Sequence, residues 1–198
     1  GPVAARVHGD PSHHLRLVGV TGTNGKTTTC HLVESIAAAA GLVPAVVGTV
    51  GARLAGTAVP VARTTPEAAD FQRLLGRMVV AGVEVAAVEV SSHALALGRV
   101  AGSRFAVAAF TNLSQDHLDF HPGMEEYFAA KASLFTPGLA EQAVVWVDDP
   151  YGERLAAAIA LPVTRVGRGA GAGITAASVD LRLDGSSFLL VGAGRTVP

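Results

Sequence analysis

Cysteine and charge are both scarce in this chain of 198 residues. A single cysteine excludes an internal disulfide framework and fits a reducing compartment. Charged residues make up 16% of the chain, and the 15 basic and 16 acidic side chains nearly cancel. That balance argues against a general nucleic-acid binder and against a protein that binds membrane surfaces.

Long apolar runs are also missing, although the mean hydropathy is +0.41. The most apolar region, residues 35–52, is interrupted by Gly41, Pro44, Gly48 and Gly51, so it does not read as a membrane-spanning helix. No basic segment followed by an apolar one indicates a secretory signal. Much of the hydrophobicity comes from alanine and valine, which is typical of helices packed on a buried parallel sheet.

Segments typical of strands and helices alternate along the chain. The predicted strands cover residues 15–20, 43–50, 83–90, 105–110, 143–147 and 163–166. The predicted helices cover residues 27–40, 66–81, 124–135 and 151–160. Residues 1–14 are predicted to be irregular and 51–62 to form a hairpin, while 178–183 and 187–191 suggest an antiparallel pair. The pattern predicts an α/β fold, with a mainly parallel sheet flanked by helices and a small antiparallel hairpin region near the C-terminus.

The strongest motif lies between the first predicted strand and the first predicted helix. Gly22 and Gly25 would let backbone N–H groups approach phosphate oxygens, Lys26 could reach the β and γ phosphates, and Thr27 or Thr28 could offer a hydroxyl to Mg²⁺. A complete phosphate-binding loop has one more glycine at its start, so this is a shortened variant. The simpler interpretation is a glycine turn that only joins strand to helix. The predicted nucleotide-binding residues are Gly22, Thr23, Asn24, Gly25, Lys26, Thr27 and Thr28.

A second group of polar residues follows the predicted strand 83–90. Ligands bind open α/β sheets at the carboxyl ends of the strands, so Glu89 could ligate Mg²⁺ or orient a metal-bound water. The alternative is a capping cluster, with Ser91 or Ser92 as N-cap of the next turn and Glu89 paired to an arginine.

A third group follows the predicted strand 105–110. Asp116, His117, Asp119 and His121 crowd one loop, and such side chains at a strand end can hold a divalent ion. The alternative is an ordinary loop whose polar residues are solvated.

Three further features allow two interpretations or point to no chemistry. Thr64 and Thr65 precede a predicted helix, which suits either an anion site or an N-cap. Lys131 lies on an apolar helix face, and it either extends its ammonium to solvent or faces the site in altered form. Cys30 has no base beside it in the sequence and is predicted to be a small core residue.

Five segments resemble, in order and spacing, the motifs of the ATP-dependent Mur ligases of peptidoglycan assembly. These segments are residues 21–28, 64–67, 89–95, 112–121 and 127–131. The resemblance is closest to the MurE branch, whose members add the third peptide residue to UDP-N-acetylmuramoyl-L-alanyl-D-glutamate. It covers most of the chain and thins beyond Pro162.

The resemblance implies a role for each matching residue. Lys26 and the loop amides would bind the ATP phosphates, Thr27 and Glu89 would help hold one Mg²⁺, and His117 would help hold a second. Lys131 corresponds to a lysine that carries CO₂ as a carbamate, an anion able to ligate Mg²⁺. The implied catalytic residues are therefore Lys26, Glu89, His117 and Lys131. The residues that correspond to contacts of the muramoyl dipeptide are Thr64, Thr65, Ser91 and Arg99. Leu97 departs from the family, which often has a polar residue there.

The resemblance also implies the reaction and the domain. The γ-phosphate of ATP would pass to the D-glutamyl side-chain carboxylate, and the amino group of diaminopimelate or lysine would attack the resulting acyl phosphate. Residues 1–198 correspond to most of the family's central ATP-binding domain, incomplete at its C-terminal end and without the UDP-binding and amino-acid-binding domains. We accordingly expect a cytoplasmic monomer that uses ATP and Mg²⁺, takes UDP-MurNAc-dipeptide and an amino acid as substrates, and binds neither nucleic acid nor membrane.

Other functions fit parts of the sequence. Folylpolyglutamate synthetase and cyanophycin synthetase share this type of ATPase domain, and residues 64–67 and 89–95 favour the MurE branch over the folate ligases. A nucleotide-binding module without catalysis of its own also fits the motifs. A phosphate-loop motor or switch fits poorly, because it leaves Asp116, His117 and Lys131 without a role.

Overall fold

One sheet of eleven strands organises the protein in the computed structural model, which describes residues 1–169 and 171–192 and the backbone of residues 195–197. The strands are β1 Arg16–Thr21, β2 Pro44–Gly48, β3 Gly51–Leu54, β4 Thr57–Val59, β5 Val85–Glu89, β6 Phe105–Phe110, β7 Ala140–Trp146, β8 Val163–Val166, β9 Ile174–Arg182, β10 Gly185–Gly192 and β11 Arg195–Val197. Their order across the sheet is β11-β10-β9-β8-β7-β6-β1-β5-β2-β3-β4. The neighbouring strands β8, β7, β6, β1, β5 and β2 pair in parallel. Antiparallel pairs extend the sheet at both edges.

Helices cover the sheet. They are α1 Pro2–Val7, α2 Lys26–Ala39, α3 Ala68–Val80, α4 Ser92–Ala96, α5 Met124–Ala132 and α6 Pro150–Ala158, with short 3-10 turns at Pro11–His13 and Ser133–Phe135. Within the described part of the chain, no helix combines the length and the apolar character that crossing a membrane requires.

Both faces of the central strands are buried, which explains why their sequences are apolar runs and do not alternate. On one face, Leu17 and Val88 pack with Phe71 and Met78 of α3 in the main core. On the other face, Val20, Val46 and Ala87 pack with Cys30 of α2. Small side chains on that second face let α2 lie close to the sheet, and α2 carries the loop motif at its first turn.

The α/β architecture and the C-terminal antiparallel pair are as predicted. The hairpin of β9 and β10 joins the rest of the sheet where Val166 pairs in parallel with Ile174. The prediction that residues 1–14 are irregular was wrong in part, because Pro2–Val7 is helical. Pro2 supplies the φ of a first helical turn and Ala5 is buried, so contact with α3 stabilises a helix that is short by itself.

Cys30 is expected to be unreactive in the folded chain. Its side chain is fully buried, and burial is the largest cause that raises the pKa of its thiol to about 12. Because the thiolate is the reactive form, we expect a disulfide-exchange reagent at about pH 8 to label the native chain at least about 100-fold more slowly than the urea-unfolded chain. Equal labelling rates would contradict the position of Cys30 in the second core.

Candidate active site

Four neighbouring strands of the sheet end at the same edge and bring many of the predicted site residues to one cavity, although Glu89 and Thr27 are not among its lining residues. The loop after β1 lies beside the segments that follow β2, β5 and β6, as expected for the carboxyl ends of parallel strands. A cavity of about 470 Å³ opens there. Its lining residues are Lys26, Thr49, Arg63, Thr64, Thr65, Ser91, Ser92, His93, Arg99, His117 and Lys131. Seven of these were predicted from the sequence to bind nucleotide, metal or substrate; the other four are Thr49, Arg63, Ser92 and His93.

The loop after β1 needs glycine at a crowded position. Gly22 has φ +142°, and a Cβ there would lie 1.9 Å from Oγ1 of Thr111. Gly25, with φ +85°, precedes the first turn of α2. The loop therefore holds its backbone against the segment after β6 and presents the N-terminus of α2 to the cavity, the arrangement that favours bound phosphate.

The segment after β6 braces this loop through a set of hydrogen bonds. The backbone N–H of Asn24 donates to Oδ1 of Asn112 at 3.0 Å, and Nδ2 of Asn112 donates back to the Asn24 carbonyl at 3.1 Å. The Thr23 hydroxyl lies 3.1 Å from the phenol oxygen of Tyr127 and accepts from the backbone N–H of Ser114 at 3.0 Å. The loop is therefore held from two sides before any ligand binds, which reduces the ordering cost of binding.

The chain contains only two lysines, and the fold brings both to the same oxygen. Nζ of Lys26 donates to the Gly22 carbonyl at 2.9 Å and to the Thr23 carbonyl at 2.7 Å. Nζ of Lys131, from α5, donates to the Gly22 carbonyl at 2.8 Å and lies 4.5 Å from the centre of the Tyr127 ring. Lys131 is 1% exposed. The position of Lys131 therefore supports the interpretation that it faces the site. It does not support the alternative that its ammonium extends to solvent.

Burial controls the protonation of both lysines. It is the largest cause lowering the pKa of Lys131 to about 7, and the positive charge of Lys26 lowers it further while Asp116 opposes the shift. Burial also lowers the pKa of Lys26, with Glu89 and Asp116 opposing. A substantial share of Lys131 is therefore a neutral amine near neutral pH, the form that can act as a nucleophile toward CO₂.

Glu89 is the last residue of β5, and its buried carboxylate accepts hydrogen bonds from neutral groups. Its Oε1 accepts from the backbone N–H of Thr49 at 3.0 Å, and its Oε2 accepts from the Thr49 hydroxyl at 3.2 Å. Glu89 is 1% exposed and close enough to Lys26 to affect its pKa. A buried carboxylate beside a phosphate-type loop fits Mg²⁺, which takes one or two carboxylates together with water and substrate phosphates. The alternative interpretation, in which an arginine pairs with Glu89, is not seen among the described side chains, and Thr49 holds the carboxylate instead.

The histidines of the segment after β6 gather around α4 and α5. The His93 ring lies 4.8 Å from the His117 ring and 4.1 Å from the Phe120 ring, centre to centre. Burial is the largest cause lowering the pKa of His93 and of His121, so both are mainly neutral at neutral pH. Among the residues with described side chains, no three His, Cys, Asp or Glu converge as a preformed metal cluster. A metal at His117 would therefore need further ligands, such as water or phosphate oxygens.

The residues predicted to contact a dipeptide substrate, Thr64, Thr65, Ser91 and Arg99, also line this cavity. Oγ1 of Thr65 donates to the Glu89 carbonyl at 2.7 Å and accepts from the Ser91 backbone N–H at 3.2 Å. Arg99 forms an ion pair with Glu67 at 2.9 Å. The Ser91 hydroxyl accepts from the Ala94 N–H at 3.1 Å and so caps α4. The capping interpretation of Ser91 is thus correct, and the serine hydrogen stays available to a ligand.

Sequence reasoning missed Thr49, which lines the cavity directly after β2. A Gly-Thr pair at the end of an apolar segment carries no recognisable motif. The signal that could have found it is the rule already applied to β5 and β6, that polar residues at the carboxyl end of a central strand face the ligand side.

Comparison with known proteins shows to which family this chain is similar. The profile described as Mur ligase middle domain matches residues 20–196. A UDP-N-acetylmuramoyl-L-alanyl-D-glutamate–2,6-diaminopimelate ligase from Corynebacterium glutamicum is 53% identical over 163 residues, which is 81% of this chain and 32% of that protein. The chain thus spans about a third of the length of that curated relative.

Solved structures agree with this placement. A structure of a ligase of the same name superposes with a TM-score of 0.82 at 31% identity, over 92% of this chain and 38% of that one. A folylpolyglutamate synthase from Mycobacterium tuberculosis, solved with ADP, superposes with a TM-score of 0.75 at 16% identity, over 94% of this chain and 49% of that one. The second likeness extends to the fold alone.

Proposed function

This chain belongs to the Mur ligase family, and from that membership we propose that its cavity binds Mg-ATP and activates a carboxylate for amide-bond formation. The observation that carries the proposal is the meeting of Lys26 and Lys131 at the Gly22 carbonyl, inside a cavity that also contains Thr64, Thr65 and His117. A switch or motor NTPase has no use for the buried Lys131 or for the threonines Thr64 and Thr65.

Each residue then has a positional task. The loop amides and Lys26 hold the phosphates of ATP, and release of Lys26 from the Gly22 and Thr23 carbonyls frees its ammonium for the transferring group. Thr27 and Glu89 would help hold one Mg²⁺ and His117 would help hold a second, and these ions would neutralise phosphate charge when bound. Lys131, as a carbamate, would add a negatively charged ligand from α5. Thr27 lies in the first turn of α2 and is half-buried, which is compatible with that task.

The proposed substrates follow from the threonine, serine and arginine residues that line the cavity and from the named relatives. Thr64, Thr65, Ser91 and Arg99 would hold the dipeptide of a UDP-N-acetylmuramoyl substrate so that its D-glutamyl side chain faces the γ-phosphate. That carboxylate would take the phosphoryl group, and the acyl phosphate would then be attacked by an amino group. Diaminopimelate is the favoured amino acid, because the relatives named above are diaminopimelate ligases. Residues 1–198 would serve as most of the central domain of this ligase, in the cytoplasm and as a monomer.

Substrate-dependent release of ADP tests this function. We expect ADP formation by the ligase that contains this chain to depend on UDP-MurNAc-L-Ala-D-Glu and to rise at least about tenfold when the dipeptide substrate and diaminopimelate are both added. A UDP-sugar without the dipeptide is the matched control. ATP hydrolysis that ignores the dipeptide would overturn the ligase assignment and favour a plain NTPase.

A further inference from the structure

We propose that Thr49 is a positioning residue that fixes the carboxylate of Glu89 for Mg²⁺ and links it to Thr64, one of the residues proposed to hold the substrate. Thr49 directly follows β2, and β2 is the neighbour of β5, the strand that carries Glu89. This role rests on the metal site proposed above for Glu89, and it adds a residue that no motif of the sequence indicates.

Thr49 contacts both oxygens of the Glu89 carboxylate. Its backbone N–H donates to Oε1 at 3.0 Å and its hydroxyl donates to Oε2 at 3.2 Å. The same hydroxyl oxygen lies 3.1 Å from Oγ1 of Thr64. A carboxylate can only accept hydrogen bonds, so the hydroxyl hydrogen of Thr49 points to Glu89 and its lone pair accepts from Thr64. The Thr49 hydroxyl thereby connects Glu89, the proposed metal ligand, to Thr64, a residue proposed to hold the substrate.

The backbone of Glu89 is secured without Thr49, so the contact acts on the side chain. Glu89 pairs with Val20 of β1 in the parallel ladder. Its carbonyl also accepts from the hydroxyl of Thr65 at 2.7 Å. Removing the Thr49 hydroxyl should therefore leave β5 in place and free Oε2 of the carboxylate, while the backbone N–H of Thr49 still donates to Oε1.

Gly48 supplies independent evidence that this orientation is built into the fold. A Cβ at residue 48 would lie 2.0 Å from Oε1 and 2.6 Å from Cδ of Glu89. Gly48 does not occupy the left-handed region of φ, so its backbone is open to any residue. Glycine here leaves space for the carboxylate, and Thr49 then holds the carboxylate in that space.

Groups that orient a metal ligand typically change metal affinity by about 10–100-fold when they are removed. We therefore expect Thr49→Val, which keeps the branched shape and loses the hydroxyl, to weaken Mn²⁺ binding at least about tenfold. Thr49→Ser keeps the hydroxyl and should stay within about threefold of wild type. Gly48→Ala should weaken Mn²⁺ binding at least about tenfold as well, because its methyl group displaces the carboxylate.

The experiment is a Mn²⁺ titration followed by electron paramagnetic resonance, on the 198-residue chain with a non-hydrolysable ATP analogue present. Thermal unfolding checks that each variant is folded. The expected order of affinity is wild type and Thr49→Ser first, then Thr49→Val and Gly48→Ala, with Glu89→Gln weaker than wild type.

Two results would overturn the role and are distinguishable. If Glu89→Gln weakens Mn²⁺ binding while Thr49→Val and Gly48→Ala match wild type, the positioning role is wrong and the metal site stands. If Glu89→Gln itself matches wild type, the proposed metal site fails and the role of Thr49 fails with it. Should Thr49→Val not fold, Gly48→Ala decides by the same criteria.

Discussion

Lys26→Ala is expected to weaken Mg-ATP binding by this chain about 10–100-fold in isothermal titration calorimetry, because a hydrogen bond from a charged group contributes about 1.5–3 kcal/mol. Phosphoryl transfer in the ligase should be lost, since the missing ammonium also neutralises charge on the transferring group. The fold should survive, because the Gly22 carbonyl still accepts from Lys131. Equal thermal unfolding of wild type and variant would check that point.

Arg16→Ala is the matched control for charge. Arg16 is exposed and begins β1 at the end of the strand opposite the phosphate loop, so it removes one positive charge without touching the cavity. We expect its ATP affinity to equal that of wild type. Unchanged binding by Lys26→Ala would contradict the loop assignment, and a folded wild-type chain that binds no Mg-ATP would contradict the nucleotide site of this chain.

Lys131→Ala is expected to abolish ligase turnover, by at least about 100-fold, and added bicarbonate should not restore it. The reason is chemical, because a carbamate needs the amine that alanine lacks. Full activity of this variant would contradict the carbamate role. Alanine also removes the hydrogen bond to the Gly22 carbonyl, so the loss of turnover needs a direct measurement of the modification beside it.

The carbamate is directly observable in this chain because Lys26 and Lys131 are its only lysines. We expect one carbamate resonance of lysine type in the ¹³C spectrum after equilibration with ¹³C-bicarbonate, and we expect Lys131→Met to lack it. With the pKa of Lys131 lowered to about 7, the neutral amine increases from about a tenth at pH 6 to about nine tenths at pH 8. An unshifted lysine has well under about 1% neutral amine at pH 8. A signal that persists in Lys131→Met would assign the carbamate elsewhere.

The sequence by itself determined the class of fold, and it indicated seven of the residues that line the cavity. Buried parallel strands read as apolar runs, and β6 and β8 begin and end at the predicted residues. The loop after β1 was predictable because its two glycines and its lysine lie close together within residues 22–26, so that local backbone geometry and chemistry come from one short segment. The α1 helix was not predictable, because a helix this short depends on packing against α3.

Tertiary structure alone decided which side chains meet across the strand ends. Gly22 and Lys131 are far apart in the chain, and their 2.8 Å hydrogen bond exists because α5 returns over the end of β1. Thr49 carries no motif, and its contact with Glu89 arises because β2 and β5 are neighbours in the sheet. Local periodicity and motif spacing report consecutive residues, whereas strand order is set by the packing of the whole chain. The lowered pKa of Lys131 has the same origin, since burial and the nearby charge of Lys26 exist only in the folded protein.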